Sequence, residues 1–246
     1  MKLTFKIWRQ PRAERKGTFV SYSMDNLHQD MSLFEAMDVL NDELLKKGED
    51  TIEFDHDCRE GICGQCGLWI NGEAHGPGSH NTSCQVYLRS FANGQEITIE
   101  PFRAKNMPIK KDLKIDRSAM DRIIAAGGYI SVNTGQAPDA NAIPIPSGQA
   151  EEALDAASCI GCGACIASCK NASAALFTGA KVSHLVGLPQ GKPEAKSRVK
   201  KMVQAMDSEG FGACSFTGAC EAVCPQEISI VEIVRMNSEY IRTILD

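Results

Sequence analysis

Apolar and polar positions alternate from the start of the chain. Leu3, Phe5 and Ile7 are interleaved with Lys2, Thr4 and Lys6, the period of a half-buried strand. A second strand over residues 18–22 completes a hairpin. Ser32 with Glu35 spells a capping box ahead of Leu33, Phe34, Met37, Leu40, Leu44 and Leu45, which recur near helical spacing. Gly48 suits the stop of that helix. Residues 68–70 read as a short strand ending in Asn71-Gly72, a strong turn dipeptide. Ile97 and Ile99 mark another strand, closed by Pro101. The first hundred residues thus predict a small β-sheet crossed by one helix.

From residue 104 to 114 the composition shifts to Lys, Pro and Asp, which predicts a linker. Beyond it the pattern turns helical. Asp116 is placed to cap a helix running through Met120, Ile123 and Ile124 to Gly127-Gly128. Residues 136–148 are rich in Pro and Ala and show no periodicity. Further helices are predicted near 151–157, 166–177 and 193–206. The last, over 229–245, carries its own box in Ser229 and Glu232, with Ile228 stapled onto Ile233. The expected class is α+β, with one domain over 1–106 and a helical one over 107–246.

At 246 residues the chain can hold one large domain or two modest ones. Its formal charge of −5 and pI near 5.6 argue against nucleic acid as the main partner. No run approaches the ~18 apolar residues that cross a bilayer, and the N-terminus lacks the apolar core of a signal peptide. These features favour a reducing compartment, where clustered cysteines hold metal.

Eleven cysteines change the picture most. Cys58, Cys63 and Cys66 follow C-x4-C-x2-C, and 17 residues separate Cys66 from Cys84. This is the plant-type ferredoxin spacing for a [2Fe–2S] centre, with Gly61, Gly64 and Gly67 between the ligands to allow tight turns. A zinc site is the competing reading, and the x4 gap fits it poorly. His75 and His80 read as polar residues of a surface loop, since four thiolates already complete the set.

Cys159, Cys162, Cys165 and Cys169 make C-x2-C-x2-C-x3-C, the first half of a two-cluster bacterial ferredoxin. In that pattern the fourth cysteine serves the other cluster. Cys214, Thr217, Cys220 and Cys224 repeat the intervals, with Thr217 where the second cysteine belongs and Pro225 following. Crossing the ligands gives Cys159, Cys162, Cys165 and Cys224 to a [4Fe–4S] cluster and leaves Cys169, Cys214 and Cys220 for the other. Three thiolates suit a [3Fe–4S] electron carrier; an open iron acting as a Lewis acid, as in hydratases, is the alternative.

Through Cys58-Arg59-Glu60-Gly61-Ile62-Cys63-Gly64-Gln65-Cys66, Cys159-Ile160-Gly161-Cys162-Gly163-Ala164-Cys165 and Cys220-Glu221-Ala222-Val223-Cys224-Pro225, the chain resembles the iron–sulfur subunits of succinate dehydrogenases and fumarate reductases (respiratory complex II). The resemblance implies a plant-type ferredoxin β-grasp domain followed by an all-helical, bacterial-ferredoxin-like domain with two clusters. It implies a relay from the covalent FAD of a flavoprotein subunit through [2Fe–2S], [4Fe–4S] and [3Fe–4S] to quinone at a membrane anchor. The dicarboxylate chemistry of the tricarboxylic acid cycle would lie on the flavoprotein, so no residue here is expected to be catalytic. The place implied is the cytoplasmic face of a bacterial inner membrane, peripheral through partner subunits.

Three departures qualify it. Lys170-Asn171-Ala172-Ser173 follows Cys169 where familiar members have a proline and a tryptophan pair, and Ser215 replaces a histidine after the first cysteine of the second run. Their ubiquinone pocket is therefore not carried over. The long gap before Cys84 is the third. Together they point to the branch with a di-haem cytochrome b anchor, haem b on that partner, and menaquinone.

Arg103, Lys105, Lys110, Lys111 and Lys114 surround the expected linker, while Lys192, Lys196, Arg198, Lys200 and Lys201 lie near Pro193. Both groups read as solvated surface, the second also as a contact for anionic lipid headgroups or the anchor. The competing functions are a carrier serving another flavoprotein, such as a thiol-linked fumarate reductase, or a free ferredoxin. The former would be expected to show a long cysteine-rich C-terminal extension.

Overall fold

A computed structural model describes residues 1–245. The chain divides into two compact units, Met1–Asp116 with Cys162–Ala167, and Arg117–Gly161 with Ser168–Asp246.

In the first unit β1 (Leu3–Arg9) and β2 (Thr18–Met24) form the expected antiparallel hairpin. Leu3, Phe5 and Ile7 are fully buried beneath α1 (Leu33–Lys47). Ser32 Oγ accepts from the Glu35 amide, and the Glu35 carboxylate accepts from the Ser32 amide, so both halves of the capping box are made. Gly48 ends the helix at φ +70°, a left-handed geometry that suits a residue without Cβ. β3 (Leu68–Ile70) turns through Asn71-Gly72, both at positive φ, into β4 (Glu73–Ala74). β5 (Glu96–Pro101) runs parallel to β1 and antiparallel to β3, giving the mixed order β2-β1-β5-β3-β4.

Residues 104–114 are not a linker. β6 (Ile109–Lys111) and β7 (Lys114–Ile115) form a hairpin within the first unit. Met107 and Leu113 are buried, and the Asp112 carboxylate sits under the sheet edge, accepting from Arg9, Gln10 and Glu53. Lys105 and Lys110 are exposed, whereas Lys111 and Lys114 are partly buried in ion pairs with Asp50 and Asp55.

Among its described residues the second unit holds helices and no strand. α2 (Ser118–Gly127) starts after Arg117, one residue beyond the expected cap Asp116; the Asp116 amide donates to the Pro108 carbonyl, which ties that residue to the hairpin. α3 is Ser147–Ala157 and α4 Ala164–Ala167. The helix expected over 166–177 is broken after α4. The Cys169 carbonyl accepts from Ala172, and Ala172 stands at φ +49°, so the chain makes a tight turn before α5 (Ala175–Gly187) begins. α5 is buried along most of its length and packs on α3, α6 (Ala195–Ser208) and α8 (Val231–Leu245). A Cβ at Gly179 would lie 2.7 Å from the Glu232 carbonyl, so this crossing needs glycine. α7 is one turn, Ala219–Ala222.

Before α8, Ser229 Oγ accepts from Val231, not from the third helical residue, and the Ile230 amide donates to Glu221. The predicted Ser229–Glu232 box is thus replaced by a tie to α7, while Ile228 and Ile233 are both buried as the staple requires.

Candidate iron–sulfur sites

The first four cysteines all lie in the first unit. Cys58, Cys63 and Cys66 occupy the irregular stretch between α1 and β3, and Cys84 the 3-10 turn Ser83–Gln85. The stretch is shaped by three left-handed residues, Arg59 (φ +56°), Gly61 (φ +79°) and Gly64 (φ +72°). Such turns aim successive amides at one side of the chain. The Glu60 amide donates to Cys58 Sγ at 3.3 Å, and the Gly61 amide donates to Cys84. At Gly61 any Cβ would also press within 3.0 Å of Thr82 Oγ1. Arg59 is held by a two-pronged pair with Asp38 of α1 (2.6 and 3.1 Å), and its carbonyl accepts from Gln85 beside Cys84.

The sulfurs approach in pairs. Cys66 and Cys84 are hydrogen-bonded and nearly buried, Cys63 bonds Cys58, and Cys63 adds its charge to Cys66. The bond from Cys66, followed by Thr82 Oγ1, the Gly61 amide and Gln85, lowers the Cys84 thiol to about 5 against the opposing effect of burial. The Glu60 and Ile62 amides lower Cys58 to about 7. Donating to Cys84 and burial both push Cys66 up. Hydrogen bonds favour thiolate over thiol, the form a metal takes.

His75 corrects the surface-loop expectation. It is 1% exposed, edge-on to Phe102, with Nδ1 3.3 Å from Ser83 Oγ. It packs on Phe102 beside Ser83, the residue before Cys84, a role for which the sequence carries no periodic signal. His80 is exposed as expected.

The later cysteines show a repeated backbone. After Cys159, Gly161 (φ +65°) and Gly163 (φ +85°) are left-handed and α4 follows. At the same intervals after Cys214, Phe216 (φ +50°) and Gly218 (φ +77°) are left-handed and α7 follows. The likeness extends further: Ala172 and Glu227, each third after a cysteine, are left-handed and donate to the carbonyls of Cys169 and Cys224. Thr217 therefore stands in the conformational place of Cys162.

Cys169, Cys214, Cys220 and Thr217 line one small cavity with Leu176 and Ile233. Cys214 Sγ accepts from the Phe216 amide at 3.4 Å, and the Glu221 amide bonds Cys220, whose thiol burial raises overall. Cys159 and Cys224 are close enough for their charges to interact, and burial raises Cys159 against the Gly161 amide. Cys224 Sγ accepts from Ile228 at 3.4 Å. Cys162, 7% exposed, precedes α4 and Cys165 lies within it, both among residues grouped with the first unit.

The donor set fits iron–sulfur groups. All eleven cysteines are free thiols, and backbone amides and hydroxyls are aimed at their sulfurs. Among the described residues no three His, Cys, Asp or Glu are arranged for one metal ion, whereas a multi-iron group engages its thiolates at different irons. Arg198, expected as surface charge, is 3% exposed and donates to the carbonyls of Gly127, Tyr129 and Gly191. It ties α6 to the end of α2.

Residues 4–122 match the family described as a 2Fe-2S iron-sulfur cluster binding domain, and residues 155–228 that of a 4Fe-4S dicluster domain. The fumarate reductase iron-sulfur subunit of Haemophilus influenzae is 28% identical over 217 residues, 80% of this chain and 76% of that protein. The succinate dehydrogenase iron-sulfur subunit of Bacillus subtilis is 27% identical over 203 residues, 79% and 74% of the two chains. The fumarate reductase iron-sulfur subunit of Wolinella succinogenes is 25% identical over 222 residues, 89% of this chain and 87% of that protein. A chain of the Mycobacterium smegmatis Sdh1 complex in the apo form shares the fold, with a TM-score of 0.61, 16% identity, and 100% and 98% of the chains covered. These relatives are named as iron-sulfur subunits of fumarate reductase and succinate dehydrogenase, which are oxidoreductase complexes. No helix among the described residues is long and apolar enough to cross a membrane.

Proposed function

We propose that this chain is the electron-transfer subunit of a succinate:quinone oxidoreductase, working as a succinate dehydrogenase or fumarate reductase. The observation that carries the reading is the repeated cysteine turn whose second half keeps its backbone but replaces one ligand with Thr217. In this reading Cys58, Cys63, Cys66 and Cys84 hold [2Fe–2S] in an N-terminal β-grasp domain. Cys159, Cys162, Cys165 and Cys224 hold [4Fe–4S], and Cys169, Cys214 and Cys220 hold [3Fe–4S], in a helical second domain. When bound, these clusters supply one-electron centres between a two-electron flavin and a quinone.

The chain's own residues prepare the sites. Amides of Glu60, Gly61, Phe216 and Ile228 point at thiolate sulfurs and stabilise their negative charge, which raises the potential of whatever group they hold. The Arg59–Asp38 pair fixes the first loop on α1. The open-iron hydratase reading gains nothing from the cavity, which is small and lined largely by apolar and cysteine side chains.

The partners are a flavoprotein with covalent FAD and a di-haem cytochrome b anchor using menaquinone, at the cytoplasmic face of a bacterial inner membrane. Affinity purification of the tagged chain from native membranes tests this. Recovery of a flavin-bearing subunit and a haem b protein is expected. Recovery of a flavoprotein that reacts with thiols in place of quinone, or of the chain alone, would replace the assignment with another carrier.

A further inference from the structure

The three-cysteine site is assembled from two segments far apart in sequence, one ending at Cys169 and one spanning Cys214–Cys220. A group held there has one fewer covalent tie than one held by four cysteines, so noncovalent ties between the segments matter more. One residue makes such a tie. The turn after Cys169, closed by the Ala172 amide on the Cys169 carbonyl at 2.9 Å, presents Asn171 at its tip. Asn171 Nδ2 donates to the Ala213 carbonyl at 2.8 Å and to Ser215 Oγ at 3.2 Å. These acceptors stand immediately before and after Cys214, so both protons of one amide bracket the ligand.

The approach is close enough to dictate a second residue. A Cβ on Gly212 would lie 2.0 Å from the Asn171 carbonyl oxygen. This overlap involves backbone, which cannot swing aside, so only glycine admits the contact. At the matching place in the other half of the repeat, the Gln226 carbonyl is met by the Ser158 hydroxyl at 3.5 Å, a much longer contact.

We propose that Asn171 is a positioning residue for the three-cysteine site, its side-chain amide clamping the Cys214 segment to the Cys169 turn, with Gly212 as the clearance that permits it. The inference rests on the assignment of a three-iron group to Cys169, Cys214 and Cys220. Asn171 is itself exposed, so its truncation spares the packing of α5 and α8.

The test uses the assembled complex in native membranes, oxidised and exposed to a chelator, with the [3Fe–4S] EPR signal followed over hours. Two net hydrogen bonds correspond to about tenfold faster loss of that signal in Asn171→Ala. Ser215→Ala, which removes one of the bonds, should give about threefold. Asn171→Asp, which has no donor at neutral pH, should behave like the alanine variant. The [2Fe–2S] and [4Fe–4S] signals should be unchanged. Loss within twofold of the native rate in Asn171→Ala would overturn the clamp, as would parallel loss of all three signals. A native complex lacking the [3Fe–4S] signal would overturn the underlying assignment instead.

Discussion

Replacing Asp112 with alanine should cost the first unit about 3–5 kcal/mol. The side chain is 1% exposed. Its Oδ1 accepts from Arg9 Nε at 3.1 Å and the Gln10 amide at 2.8 Å, and its Oδ2 accepts from the Glu53 amide at 3.1 Å. Truncation leaves two backbone donors without acceptors, each worth about 1–3 kcal/mol. It also removes the buried partner of an arginine, for which about 3–5 kcal/mol is typical. These losses overlap, because water and the remaining Arg9 partners, Tyr22 and the Asp50 and Thr51 carbonyls, recover part. The total therefore falls below the simple sum, to about 3–5 kcal/mol. Asp112→Asn keeps one oxygen acceptor and tolerates the left-handed φ of +47°, so it should lose about half as much. Both tryptophans, Trp8 and Trp69, lie in this unit, so urea unfolding followed by tryptophan fluorescence reports on it alone. With a slope of about 1.5 kcal/mol/M, the alanine midpoint should fall by about 2–3 M. A loss below about 1 kcal/mol would refute the view that residues 104–115 are structurally part of the first unit.

Three further outcomes are expected. Cys220→Ser should eliminate the [3Fe–4S] signal and quinone reduction while succinate oxidation with an artificial dye persists; retained quinone activity would displace that site from the end of the relay. Thr217→Cys should convert the site to [4Fe–4S] and lower its potential by redox titration, and unchanged spectra would sink the missing-ligand argument. Hydrogen bonds from Ser131 hold the Glu194 carboxyl below its usual 4.5. A depressed folded pKa contributes stability above the unfolded value that is lost as pH falls through the folded one. Glu194→Gln should therefore remove an acid-side loss of thermal midpoint below about pH 4.5, and superimposable profiles would show that the bond contributes nothing.

The sequence revealed elements wherever one residue type has one structural use. Alternation buried Leu3, Phe5 and Ile7, and Ser32 with Glu35 made the predicted cap. The first four cysteines lie close together, and Cys169, Cys214 and Cys220 line one cavity; their assignment to clusters is the proposal above. Misreadings arose where a second demand competed. The Lys-rich composition of 104–114 suggested a linker, although Met107, Leu113 and the Asp112 carboxylate of this segment are buried in the first unit. The helix expected through residues 166–177 breaks because the Cys169 turn needs a left-handed Ala172. Ser229 Oγ accepts from Val231 and the Ile230 amide donates to Glu221, so the start of α8 is tied to α7 instead of boxed by Ser229 and Glu232. His75 and Arg198 are polar types whose burial depends on long-range partners, Phe102 and Ser83 for one, three backbone carbonyls for the other. No local pattern encodes such contacts.

The most direct test of the central claim is low-temperature EPR of native membranes containing this chain, recorded before and after adding succinate. The account predicts an oxidised [3Fe–4S] signal that disappears while a reduced [2Fe–2S] signal rises, both lost when Cys220 and Cys58, respectively, are replaced. Signals that respond to dithionite but ignore succinate would contradict the assigned place of this chain between succinate and quinone.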